Sequence, residues 1–274
     1  MTALGVDRVF EKRLAGLVNA REPGVLRGGL KGLEKESLRV TPDGQIAQTR
    51  HPEAMGSALT NEGITTDYSE SLIELVTPPF RESWELLQYL CDLHQFVYRH
   101  LGDELLWATS MPCVLKGDAS IPIARYGRSN VAKMKEAYRE GLGHRYGRVM
   151  QAISGVHFNY SFPEQFWPVF ESVLESRLTG QAFSSEQYFA VLRNYRRYGW
   201  LGLYLFGNSP AFCSSFLGGR DHDLKELRPG TLYAPDATSL RMSDLGYRNK
   251  NQAGVNISVN SLEEYLRDLN RAVN

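Results

Sequence analysis

A chain of 274 residues that is 42% hydrophobic and 23% charged has the composition of an ordinary folded protein and room for one large domain or two modest ones. Its 31 Lys and Arg balance its 31 Asp and Glu, which removes the electrostatic case for nucleic acid or an anionic membrane surface and leaves small molecules as the expected partners. Cys91, Cys113 and Cys213 are odd in number and form no CxxC pair, which argues against a disulfide framework or a zinc site and suits a reducing compartment.

Val6, Phe10, Leu14, Leu17 and Val18 follow helical spacing and predict an amphipathic first helix closed by Pro23 and Gly24. Arg8, Glu11, Lys12 and Arg13 interrupt any apolar N-terminal run. No later run approaches the ~20 apolar residues of a membrane span, so the expected location is cytoplasmic. Residues 32–40 read as a strand with Glu34, Glu36, Leu38 and Val40 on one face and Leu33, Lys35, Ser37 and Arg39 on the other. The face with Leu38 and Val40 is expected to point inward, where ionised glutamates are costly unless paired or metal-bound. An exposed edge strand of mixed charge is the plainer alternative. Thr41-Pro42-Asp43-Gly44 then predicts a hairpin into residues 45–48.

Glu74 sits inside the apolar run Leu72 to Val76, which reads as a buried strand closed by Pro78 and Pro79. Asp67 lies seven residues earlier, a spacing that a flat strand sends to the opposite face, so convergence of the two predicts a bulge or kink at Ser69-Glu70-Ser71. Leu86, Leu90, Leu93, Val97 and Leu101 predict a long helix ending at Gly102, with His94 and His100 as packing or surface residues. Residues 102–128 read as an irregular loop region. A helix over 130–140 is expected to break at Gly141 and Gly143, and Arg139 beside Tyr138 reads equally well as a salt-bridge residue of this half. Residues 154–162 alternate cleanly, with Val156, Phe158, Tyr160 and Phe162 on a packed face and His157, Asn159 and Ser161 on the polar one.

Ser184-Ser185-Glu186-Gln187 reads as a capping box for a helix that Gly207 to Pro210 ends, with Arg193, Arg196 and Arg197 on its solvated side. Ser261 caps the last helix, which has no stop signal of its own. Strands and long helices without βαβ alternation indicate an α+β fold with an antiparallel or mixed sheet. No repeat, low-complexity tract or domain boundary is evident.

Glu34, Glu36, Asp67 and Glu74, if they converge, would repel by about 4 kcal/mol per pair at ~4 Å and an effective dielectric of ~20, so cations are expected among them. Hard oxygen donors favour Mg²⁺ or Mn²⁺, which commonly share their coordination with substrate phosphates. That points to ATP, although neither GxxxxGK[ST] nor GxGxxG occurs.

The segments 32–40, 64–79 and 154–162 together resemble the proteobacterial glutamate-cysteine ligase family. His51-Pro52-Glu53-Ala54-Met55-Gly56-Ser57-Ala58-Leu59-Thr60, Ser110-Met111-Pro112-Cys113, Tyr138-Arg139-Glu140-Gly141-Leu142 and the run from Ala237 to Tyr247 extend the resemblance along nearly the whole chain. The resemblance implies a glutamine-synthetase-like, curved, mainly antiparallel sheet with flanking helices, and residues 1–274 as a single partial catalytic domain, because family members run to nearly twice this length. It implies phosphorylation of the glutamate γ-carboxylate by ATP and attack on the acyl phosphate by the cysteine amine, the first step of glutathione biosynthesis. Carried over residue by residue, it implies metal ligands at Glu34, Glu36, Asp67, Glu74 and His157, and a cysteine pocket at Tyr68, Tyr138, Leu142, Gln151 and Tyr247. That route has room for a positioned arginine that stabilises charge on the phosphate or holds a substrate carboxylate, and Arg241 is the candidate for this catalytic role. Tyr68 stands at a position where phenylalanine is expected in some relatives. The implied partners are L-glutamate, L-cysteine and ATP, with self-association through uncovered sheet edges. A related carboxylate-amine ligase with another amine acceptor, or a non-catalytic metal- and amino-acid-binding fragment, are the alternatives.

Overall fold

The computed structural model describes residues 8–20, 24–207, 209–243 and 256–273. They form two compact units, one from segments 1–31, 160–201 and 254–274, the other from 32–159 and 202–253. The boundaries after residues 31, 159 and 201 each fall inside a regular element, so no linker composition marks them in the sequence.

The first unit is helical and aromatic. Its first helix, α1 (Arg8–Asn19), packs on α4 (Phe166–Leu174) at Gly16, where a Cβ would meet Val173 Cγ1 at 2.8 Å. Phe10, Leu14 and Val18 of the predicted apolar stripe are exposed, while Val6 and Pro23 lie outside the described residues. Phe162 stacks on Phe166 at 4.9 Å between ring centres and meets Trp167 edge-on at 5.5 Å. The helix α5 (Gly180–Phe206) starts a full turn before the expected capping box. Ser184 is already helical and turns its hydroxyl back to the Gln181 carbonyl, so the box sequence does not act as a cap here. Arg193 is not simply solvated: it donates to the Val259 and Asn260 carbonyls and to Glu186. Ser261 does cap α6 (Leu262–Val273), accepting from Glu264 N at 3.2 Å.

The second unit is built on a sheet of order β2-β3-β1-β4, with β5 also pairing β1. Its strands are β1 (Leu30–Val40), β2 (Ile64–Thr66), β3 (Leu72–Val76), β4 (Leu105–Leu106) and β5 (Val156–Ser161). The pairs β1–β3, β1–β4 and β2–β3 are antiparallel, as the α+β reading expects. A turn at 41–44 follows β1, with Gly44 N donating to Thr41 O and Val40 bridging Ile46.

The sheet's two faces have different fates. Ile64, Ile73 and Leu75 pack with Val97 and Leu101, under α2 (Ser83–Tyr98). Leu38, Leu72 and Tyr68 on the other side join Met150, Ile153, Phe212, Phe216 and Leu240 in the larger core. Arg39, expected on the outward face, is 1% exposed. Its guanidinium donates to Glu104 Oε2 at 2.6 Å, to Thr49 Oγ1 and O, and to the Glu70 carbonyl at 3.1 Å. Burial is tolerated because those acceptors replace water.

A helix α3 (Asn130–Tyr146) runs straight through Gly141 and Gly143. The expected break is absent because Gly143 is needed for packing: a Cβ there would lie 2.5 Å from the Tyr68 hydroxyl. A smaller sheet, β6 (Ala211–Cys213), β7 (Lys225–Arg228) and β8 (Thr231–Tyr233), in the order β6-β8-β7, was not anticipated. Among the described residues no helix is long and apolar enough to cross a membrane.

Candidate active site

The acidic face forms by strand pairing. Glu36 stands opposite Glu74 across β1 and β3, and Thr65 stands opposite Glu74 across β2 and β3. Asp67 N donates to Leu72 O at 3.1 Å, so β2 and β3 are joined as a tight hairpin by Leu72 N to Ser69 O at 2.9 Å. The expected kink within one strand is therefore a reversal of chain direction. In an antiparallel pair, residues opposite each other share a face, so Asp67, Leu72 and Glu74 all look the same way as Glu34, Glu36 and Leu38.

β5 adds the histidine. His157 Nδ1 lies 2.9 Å from Glu34 Oε2, and Asn159 Nδ2 donates to Glu34 Oε1 at 2.9 Å. Gly155 N donates to Glu36 Oε2 at 2.7 Å. Glu34, Glu74 and His157 each offer an atom within 4.8 Å of the others. Glu36 and Asp67 flank that trio on the same face without joining it at this distance. The opposite face of β5 is not packed as its alternation suggests: Val156 and Phe158 are each 62% exposed.

Electrostatics mark this cluster out. Burial, then the neighbouring Asp67, Glu36 and Glu34 charges, push the Glu74 carboxyl up to about 7, against a smaller opposing pull from His157. The hydrogen bond to Glu34 raises the His157 imidazole above its usual value, partly offset by desolvation. A cluster holding a proton it would rather exchange for a cation is a chemical fit for a hard divalent metal.

Beside it opens a cavity of about 450 Å³ lined by Glu36, Asp67, Tyr68, Tyr138, Arg139, Leu142, Met150, Gln151, Ile153, His157 and Met242. Four of the five residues expected in a substrate pocket are therefore on one wall system with two of the carboxylates; Tyr247 lies outside the described residues. Arg241 belongs to the single 3-10 turn Leu240–Met242, anchored by buried Leu240, and its side chain lies outside the described residues. Among the described residues Arg139 has no carboxylate partner: its Nε donates to the Asp67 carbonyl at 2.5 Å and its guanidinium lies 4.7 Å from the Tyr126 ring centre. Sequence reasoning passed over Asn159, although its place on the polar face with His157 was a usable signal.

The sequence model described as glutamate-cysteine ligase matches residues 14–274. A glutamate-cysteine ligase of Alcanivorax borkumensis is 53% identical over 265 residues, covering 97% of this chain and 50% of that protein. That of Pseudomonas putida KT2440 is 51% identical over 268 residues, covering 98% of this chain and 51% of the relative. The chain thus spans about half the length of the curated relatives it matches. Among solved structures, the glutamate-cysteine ligase of Francisella tularensis in complex with AMP superposes with a TM-score of 0.82 at 38% identity, over 90% of this chain and 48% of that one. A bifunctional glutathione synthetase of Pasteurella multocida gives 0.75 at 31% identity, over 97% of this chain and 32% of that one. Matched by family model, by relatives and by fold, this chain belongs to the glutamate-cysteine ligase family.

Proposed function

We propose that residues 1–274 are one partial catalytic domain of a cytoplasmic, ATP-dependent ligase that joins the glutamate γ-carboxylate to the cysteine amine through γ-glutamyl phosphate. The observation that carries the reading is the acidic face of Glu34, Glu36, Asp67 and Glu74 with His157, opening beside the cavity of Tyr68, Tyr138, Leu142 and Gln151.

Mg²⁺ or Mn²⁺, held by Glu34, Glu36, Asp67, Glu74 and His157, would supply neutralisation of the phosphoryl charge. The protein's part is positional. Asn159 and His157 each hold one oxygen of Glu34, and the Gly155 amide holds one of Glu36, so the donors are oriented before any ligand arrives. Glu74, whose carboxyl is pushed up to about 7 by burial and its acidic neighbours, would lose its proton on becoming a ligand. Leu142, Met150, Ile153 and Met242 give the cavity apolar walls that suit a small side chain such as cysteine's. Arg241 is assigned to charge on the phosphate or on a substrate carboxylate. The exposed Val156 and Phe158 support self-association of the 274-residue chain.

A hybrid in which residues 1–274 replace the matching half of the Alcanivorax relative tests the reading. It should form γ-glutamylcysteine with ATP and prefer L-cysteine over 2-aminobutyrate, and Glu74→Gln in the hybrid should remove most of that turnover. A folded hybrid that uses another amine better, or that ignores Glu74, overturns the assignment.

A further inference from the structure

Asp67 stands one residue beyond the end of β2, where the strand pairing stops and the turn into β3 begins. The oxygens of Glu34 and Glu36 are held directly by His157, Asn159 and the Gly155 amide, whereas among the described residues no hydrogen bond reaches the Asp67 carboxylate. Its direction is therefore set through its peptide. Two groups from outside the hairpin grip that peptide. The Tyr126 hydroxyl shares its proton between the Thr66 carbonyl at 2.7 Å and the Asp67 carbonyl at 3.1 Å, and Arg139 Nε donates to the same Asp67 carbonyl at 2.5 Å. Thr66 Oγ1 donates back to the Tyr126 oxygen at 3.1 Å.

Tyr126 is itself fixed from several sides. Its ring is buried among Ala58, Ala124 and Ala132, whose small side chains leave room for it. Its amide donates to Glu136 Oε1 at 3.0 Å, and the Arg139 guanidinium and Lys135 ammonium lie 4.7 and 4.9 Å from its ring centre, so one turn of α3 holds it. The segment leading to it is fixed by Glu70, which is 3% exposed. Glu70 Oε2 accepts from Arg125 N at 2.7 Å, while Oε1 accepts from His51 N at 3.1 Å and meets Arg50 Nε at 3.2 Å. The Glu70 amide donates to Pro122 O at 2.9 Å, and Ala124 N donates to Tyr68 O at 3.0 Å. These partners replace the water that a buried carboxylate loses.

We propose that Tyr126 is a positioning residue for cation binding, with Glu70 fixing the segment that carries it: the pair holds the Asp67 peptide so that the carboxylate stays directed at the acidic face. The proposal rests on the reading of that face as a divalent-cation site. Asp67 lines the 450 Å³ cavity and neither Tyr126 nor Glu70 does, so both act through Asp67. Tyr126→Phe keeps the ring and removes the hydroxyl, which leaves the Thr66 carbonyl without that donor in a buried place. The turn then relaxes toward another donor and carries Asp67 with it. Glu70→Gln offers one acceptor oxygen where two backbone amides need one each, so either Arg125 N or His51 N loses its partner. Groups that orient ligands in this way commonly set metal affinity by about 10- to 100-fold.

The test is titration of the 274-residue chain with Mn²⁺ alone, the free ion followed by electron paramagnetic resonance, well below the Tm of every variant. Tyr126→Phe and Glu70→Gln are compared with the parent, with Glu74→Gln, and with Phe183→Leu, a core substitution in the helical unit that lowers stability without touching the hairpin. Tyr126→Phe and Glu70→Gln should each raise the Mn²⁺ Kd about tenfold, while Phe183→Leu should leave it within about twofold of the parent. If Glu74→Gln loses Mn²⁺ but Tyr126→Phe and Glu70→Gln bind as the parent does, the cation site stands and the positioning role is overturned. A tenfold loss in Phe183→Leu as well would show that affinity merely follows stability, which also overturns it. A parent that binds no Mn²⁺ overturns the cation reading itself, and this proposal with it.

Discussion

Glu74 faces Glu36 across a strand pair, where like charges destabilise a sheet, and this makes the metal-free chain sensitive to pH in a calculable direction. A carboxyl raised from 4.5 in the unfolded chain to about 7 in the fold contributes stability that is fully present below pH 4.5 and is lost as pH rises through about 7. The full shift corresponds to roughly 3 kcal/mol. Partial exposure screens the group, and about 1–2 kcal/mol is the expected loss. For a chain of this size that is a fall of about 2–8 °C in Tm between pH 5 and 8 in the presence of EDTA. Glu74→Gln cannot take on that charge, so its Tm should decline less over the same range, by about the amount calculated. Because a divalent cation displaces the proton, Mn²⁺ should bind the parent more tightly as pH rises to about 7 and then level off. Thermal melts of both proteins across this range, with and without Mn²⁺, decide the matter. Parallel Tm-against-pH curves for the parent and Glu74→Gln would refute the reasoning, since some other group would then carry the dependence.

Gly143→Ala should destabilise by about 1–3 kcal/mol through overpacking, against the ~1 kcal/mol that alanine normally gains over glycine in a helix. Tyr68→Phe, which removes the hydroxyl that the new Cβ would strike, should restore much of that loss in denaturant titrations of the double variant. Arg39→Ala strands Glu104 and two carbonyls without their buried partner, and urea unfolding should record a loss of about 3–5 kcal/mol; a change under 1 kcal/mol would mean that water or a neighbour takes the guanidinium's place. The 274-residue chain by itself should form γ-glutamylcysteine at least ~100-fold more slowly than a full-length relative, because losing one preorganised stabilising group commonly costs about that much. Turnover within about tenfold of that control would show that the half it lacks relative to its matches is dispensable.

Alternation was the most informative signal in this sequence. It assigned Glu34, Glu36, Leu38 and Val40 to one face of β1, and the pairing with β3 agrees, because side-chain parity in a strand depends on nothing remote. What parity within one segment could not supply was chain direction. Asp67 and Glu74 look mismatched along a single strand and matched across a hairpin, and no residue between them is the glycine or asparagine that usually announces a tight turn. Gly143 misled for a related reason: its helical cost is local and visible, whereas the Tyr68 hydroxyl that requires it comes from 75 positions away. Arg39 was read outward because its acceptors, Thr49, Glu70 and Glu104, lie in three other segments.

β1 changes neighbours partway along, with β5 beside its glutamates and β4 beside Arg39 and Val40. A one-residue insertion between Ser37 and Leu38 would leave composition and charge almost untouched, yet it would exchange the two faces at the glutamate end. Lys35 and Ser37 would then look toward Glu74, and Glu34 and Glu36 would be driven beneath α2 among Ile73 and Leu75. The face proposed to hold cations would then carry an ammonium group. Variation in this stretch is therefore far more restricted in length than in chemistry: the gene can exchange letters here more safely than it can gain one codon.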